Sequence, residues 1–216
     1  PYVVLSMVTA MIGIFIVTRL VTSSIRERFV NQLYEASRVA ADGVVRRERA
    51  QLQTLRLMAY TIGVPEALAA DDPQAAVKLL EPLALNQAQD AVVALDRSGR
   101  EVAGLTLRTG RDGYDVTRGS DFSHAPFVQA VLSGKKDNLG DKYVGGVTPP
   151  SGPFLFTSSP VLTAGGETVG ALLVGARLEH LTAEIKNESL ADVAIESQAG
   201  DLVATTLPPP DGGWGP

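Results

Sequence analysis

Residues 154–177, FLFTSSPVLTAGGETVGALLVGAR, decide the fold. Phe154 to Leu162 and Thr168 to Arg177 read as two strands, joined by the turn-forming Thr163-Ala164-Gly165-Gly166-Glu167. Such a pair is an antiparallel hairpin. Alternation in the first strand sends Phe156 and Ser158 to one face and Thr157 and Ser159 to the other. In the second strand Gly170-Ala171-Leu172-Leu173-Val174 shows no polar alternation, so that strand is expected to be covered on both faces.

The neighbouring sequence supplies the rest of a sheet. Ala91 to Leu95 is a buried-strand run, Asp96-Arg97-Ser98-Gly99 a turn, and Glu101 to Leu105 the returning strand. Leu139 to Val147 is a further strand, while Arg108 to Asp121 is rich in Gly, Asp and Arg and reads as a loop. Helices are expected at Pro65 to Ala70, Pro73 to about Gln89, Ala125 to Leu132 and Glu179 to Glu188. The pattern predicts an α+β, PAS-like architecture: a five-stranded antiparallel sheet with helices on its faces. Downstream, Ala191 to Glu196, Gln198-Ala199-Gly200 and Leu202 to Ala204 repeat the earlier strand–turn–strand. Aligned on Gly99 and Gly200, Val92 coincides with Val193, Val102 with Val203 and Ala103 with Ala204, which marks the start of a second, similar module.

Upstream the chain is helical. Pro1 to Val17 carries no charge, and residues 1–22 approach the roughly 20 apolar residues that a membrane-spanning helix requires. From Ser23, apolar positions recur at Ile25, Phe29, Leu33, Ala36, Ala40 and Val44, then at Leu52, Leu55, Ala59 and Ile62. Steps of three and four make one helical stripe. With no proline before Pro65, a helix over residues 23–63 would have about 40 residues and span about 60 Å. The basic cluster Arg46, Arg47 and Arg49 is interleaved with Glu48 and reads as a solvated face, and the stripe suits parallel dimer packing. The expected segments are therefore 1–22 as membrane helix, 23–63 as long helix, 64–188 as a membrane-distal module, and 189–216 as the start of a membrane-proximal one.

Composition excludes several function classes. A net charge of −5 argues against nucleic acid, whose phosphates need clustered positive charge. With Cys 0 and His 2, neither a thiolate zinc site nor a histidine-rich metal site can form, and no cofactor is expected. No G-x-S-x-G elbow is present, and His124 beside Ser123 and Asp121 is adjacency rather than triad geometry. Asp137, Asn138 and Asp141 lack EF-hand spacing and read as a turn.

The order of features resembles the Cache family of extracellular, PAS-like sensors, in its double-Cache form. The stretches that carry the resemblance are Phe127 to Gly134, then Gly140-Asp141-Lys142-Tyr143, then Phe154 to Val161, then Val169 to Gly175. It implies a non-enzymatic, extracytoplasmic sensing part of a bacterial transmembrane receptor, with a histidine kinase, nucleotide cyclase, phosphatase or chemotaxis domain as output. Amino-acid-binding modules of the family carry Tyr, Arg, Trp and Asp around the helix and third strand. His124 to Tyr143 has neither Trp nor Arg, so a sensor is implied but an amino-acid ligand is not. The expected site lies between the sheet and the segment Phe122 to Gly134. Phe127, Tyr143 and Phe156 would form its walls, His124, the Tyr143 hydroxyl and Ser158 its hydrogen bonds, and Asp121 or Lys142 its charge preference. Expected partners are an unidentified small metabolite, the membrane, and a second copy of the chain along the long helix. The competing reading is a ligand-free structural ectodomain that dimerises.

Overall fold

The computed structural model describes residues 2–108, 110, 113–136, 140–149 and 151–209. Helix α1, Tyr2–Ala59, has 58 residues and contains no proline to interrupt it. It ends where Thr61 N donates to Met58 O at 3.1 Å and Gly63 turns the chain at φ 96. Gly63 then caps α2, Val64–Ala69, with a proline at its start. Asp72 caps α3, Pro73–Asn86, its Oδ1 accepting from the N–H groups of Gln74 and Ala75, each at 3.0 Å.

Six strands form one antiparallel sheet in the order β3-β2-β1-β6-β5-β4. They are β1 Ala91–Asp96, β2 Glu101–Leu107, β3 Tyr114–Thr117, β4 Tyr143–Val147, β5 Phe154–Leu162 and β6 Thr168–Arg177. β6 lies at the centre and is buried along nearly its whole length, as its unalternating sequence demands. Pro160, which has no N–H for a ladder, sits in β5 beyond the last pair with β4, Tyr143↔Ser158, so its missing donor interrupts nothing on that side.

Alternation divides the sheet into two faces. Val92, Ala94, Leu105, Leu172 and Val174 join Leu55 and Met58 of α1, Val64 and Leu68 of α2, and Leu80 of α3. Ala91, Val93, Leu95, Phe154, Phe156 and Leu173 pack against α4, Pro126–Leu132. After β6, helix α5, Leu178–Ser189, lies against α1, and β7, Ala194–Glu196, pairs with β8, Leu202–Thr205, in a separate two-stranded sheet.

Four expectations need correction. The sheet has six strands rather than five, because β3 lies inside the stretch Arg108 to Asp121 that reads as a loop. Only Tyr114 of β3 is buried, so its sequence shows no half-buried alternation. The long helix does not begin at Ser23: α1 runs unbroken across the expected boundary at residue 22. Among the described residues no helix is long and apolar enough to cross a membrane. At its other end, Ile62 lies past the helix and is exposed. The fourth strand starts at Tyr143, and its expected start at Leu139, like the turn at Asp137 and Asn138, lies outside the described residues.

Candidate functional site

The face of the sheet opposite the long helix is closed by α4. Pro126 starts this helix, and Ser133, with Gly134 at φ 68, ends it. Phe127, Val128 and Val131 point inward and are buried. Two glycines make room for rings there: a Cβ on Gly145 would run into the Phe127 ring, and one on Gly175 would meet the Phe156 ring at 2.5 Å. Phe156 stacks on Phe154 with ring centroids 5.6 Å apart and takes Phe122 edge-on at 6.3 Å. The Arg177 guanidinium lies 4.8 Å from the Phe154 centroid, a cation–π contact at the end of the row.

Of the expected site residues, Phe127, Tyr143, Phe156 and Ser158 meet on this face. Ser158 is fully buried, and its hydroxyl donates to Tyr143 O at 2.9 Å and lies 3.4 Å from Phe127 O, tying β5 to β4 and α4. As alternation requires, Thr157 points the other way and donates to Gln51 of α1 at 2.9 Å. Lys142 stands apart, bonded to Asp141 at 2.6 Å beside Arg56 and Ser159 on the long-helix side. That ammonium holds the Asp141 carboxyl below the usual carboxylate range. Asp121 and His124 are exposed on the loop before α4. Ser123, through its hydroxyl and its backbone N–H at 2.8 Å, holds Asp121 below that range as well. The seven residues thus separate into a buried aromatic cluster, an edge ion pair and an exposed loop.

Sequence reasoning missed a polar hub at the other end of the sheet. Asp90 is 4% exposed. Its Oδ2 accepts from Arg177 N at 2.9 Å, its Oδ1 meets His180 Nδ1 at 2.8 Å, and Arg47 stands 3.8 Å from Oδ2. Beside it the Tyr114 hydroxyl donates to Gln89 O at 2.6 Å. Burial first, then the charges of Asp90 and Glu81, push the Tyr114 phenol up to about 12. The hub joins α1, β1, β6 and α5. Arg47 therefore turns partly inward, whereas Arg46 and Arg49 lie on the exposed face as expected. No local signal in the sequence separates Arg47 from its neighbours; only the helical step from Arg47 to Gln51 and Leu55 does so.

Larger grooves lie away from the aromatic cluster among the described residues. One of about 620 Å³ runs between α3 and β3, past Val77 and Val116. Another of about 580 Å³ lies between Phe29 and Leu33 of α1 and Leu190, which follows α5.

The family model described as the double sensory domain of two-component sensor kinase matches residues 26–208. The chain belongs to this family of Cache-type sensory domains, and residues 26–208 are a sensing module rather than an enzymatic one. Among solved structures it is similar to the sensor domain of the Vibrio cholerae histidine kinase DctB, with TM-score 0.61 and 16% identity over 79% of this chain and 64% of that one. It is also similar to the ligand-binding domain of the Campylobacter jejuni chemoreceptor Tlp3 in complex with 4-methylisoleucine, with TM-score 0.58 and 15% identity over 82% and 68% of the two chains. The periplasmic domain of Vibrio cholerae LuxQ matches with TM-score 0.51 and 16% identity over 81% and 78%. At these identities the likeness is one of fold, and the chain spans less than two thirds of the DctB chain. No curated protein matches the chain.

Proposed function

We propose that this member of the double sensory domain family is the extracytoplasmic, small-molecule-sensing input of a bacterial transmembrane receptor. The observation that carries the reading is the family match over residues 26–208, on a fold whose sheet is capped by α4. In this reading residues 1–22 anchor the chain in the membrane, 23–63 continue outward as the long helix, 64–188 form the distal sensing module, and 189–216 begin a proximal one. The ligand, a neutral or zwitterionic metabolite, binds beneath the segment Phe122 to Gly134. Phe127, Tyr143 and Phe156 are its walls, Ser158 and His124 its polar contacts, and Asp121 sets its charge preference. Binding shifts α1 in a second copy and in the first alike, and the signal passes to an output domain with no covalent chemistry, because the ligand favours one of two helix arrangements.

A thermal-shift panel of metabolites tests this, followed by calorimetry with the hit on His124→Ala, Tyr143→Phe and Ser158→Ala. All three folding and binding like wild type would move the site elsewhere. A second reading, a ligand-free ectodomain that dimerises, draws support from the ring-filled α4 face and from exposed Phe29, Val30, Leu33 and Tyr34 on α1. It predicts no shift from any metabolite and a dimer by light scattering that Leu33→Glu dissociates.

A further inference from the structure

Where α1 crosses β5, Gln51 faces the sheet and is 2% exposed. Its Oε1 accepts the Thr157 hydroxyl at 2.9 Å. Among the described residues, its Nε2 has no hydrogen-bond partner. A buried amide N–H is expensive to leave unpaired, because it has lost its hydration and gained nothing. The same side chain lines a narrow cavity of about 50 Å³ between α1, β4–β5 and α5, walled by Val144, Leu155 and Leu181. Arg47 and Glu48 line it too.

Volume and charge identify the occupant. One water takes about 30 Å³ of liquid, so the cavity admits one or two waters and no metabolite. Arg47 and Glu48 offset each other's charge, which removes the attraction for an ion. Arg47 reaches Asp90 and Glu184 only at 3.8 and 4.0 Å, beyond hydrogen-bonding length, so its N–H groups still have donors to offer. The amide itself discriminates further. With Nε2 toward the cavity it needs an acceptor, and with the amide turned over it needs a donor. A halide satisfies only the first orientation, and water satisfies both.

We propose that an ordered water is bound at the seam between the long helix and the sheet, held by Gln51 with Arg47 and Glu48 as its further partners. The contact of α1 with β5 at Gln51 then joins the direct bond to Thr157 with a bound water, and one turn later, at Leu55 and Met58, it is dry. This site is independent of where any metabolite binds.

A crystal structure of this chain at about 1.5 Å, with a parallel bromide soak, tests the site. The expected result is a peak about 2.7–3.2 Å from the Gln51 amide, with a second polar contact and no bromide signal. In solution, the Gln51 side-chain amide should show a cross-peak to long-lived water, assigned by its loss in Gln51→Met. The peak should also vanish in crystals of Gln51→Met, whose flexible chain fills the space. A direct protein acceptor on the amide, a dry cavity, a bromide peak, or a water that persists unchanged in Gln51→Met would each overturn the proposal.

Discussion

The hairpins β1–β2 and β7–β8 have the same local geometry and opposite surroundings. In the first, Asp96 Oδ1 accepts from the N–H groups of Ser98 and Arg100 at 2.7 and 3.0 Å, and Gly99 takes φ 81. In the second, Ser197 Oγ accepts from those of Ala199 and Asp201 at 3.2 and 3.1 Å, and Gly200 takes φ 89. Both ladders slip at the same place, between Ala94 and Leu95 and between Ile195 and Glu196. Yet β1 is buried between β2 and β6, while among the described residues β7 pairs with β8 alone, and the hairpin rests on α5 through Val193, Ile195 and Ala204. Turn residues dictate the hairpin, and the third strand dictates its burial.

The largest test of that contrast is truncation of the cores. Leu95→Ala, at a fully buried site, should lower unfolding stability by about 2–5 kcal/mol in a urea titration. Ile195→Ala, at the partly buried middle position of the exposed strand β7, should cost under about 1 kcal/mol. Equal losses would mean that β7–β8 is held as firmly as β1–β2.

Next come the turns. Gly200→Ala places a side chain in the left-handed region with nothing near it, for a loss of about 1–2 kcal/mol confined to the small hairpin. Gly99→Ala adds a contact of its Cβ with Ser123 Cα at 2.9 Å, so its loss should be larger and should also loosen the loop before α4. Hydrogen exchange resolves both effects, with the β7–β8 amides opening locally while β1 opens only with the whole domain.

Titration gives smaller effects of opposite direction. The Tyr114 phenol has its proton held more tightly in the folded chain, about 12 against 10.0. Its contribution is complete below pH 10 and is lost as pH rises through about 12. Tyr114→Phe should flatten that alkaline slope and leave β7–β8 unchanged. The smallest effect is acidic. Lys186, at 2.5 Å, and then Thr206 hold Asp192 below the usual carboxylate range. The support Asp192 lends the junction of α5 and β7 is present above the ordinary Asp range and fades as pH falls through its lowered value. NMR shifts of Val193 and Thr206 should follow that change, and Asp192→Asn should abolish it.

The buried strands and their turns were legible because period and punctuation are local: β5 and β6 begin and end where the sequence placed them. β3 was not, since an edge strand with one buried residue leaves no alternation to read. The aromatic members of the candidate site were legible as hydrophobic strand and helix positions. Their glycine supports, Gly145 and Gly175, read only as strand residues until the rings were seen across them. Asp90 and its partners were illegible because Arg47, Asp90 and His180 come from segments far apart in the chain, and pairing between distant charges has no period.

Among the described residues, helix α1 is seated over its last third and mostly exposed before it. From Ala40 to Ala59 it rests on α5 and the sheet for about 30 Å, and from Tyr2 to Val39 it extends about 57 Å further. It is a lever with a short arm and a long one. Tilting the seated arm by 1 Å across its length would swing the far tip by roughly 2 Å, and a helix without proline passes that tilt along without a hinge to absorb it.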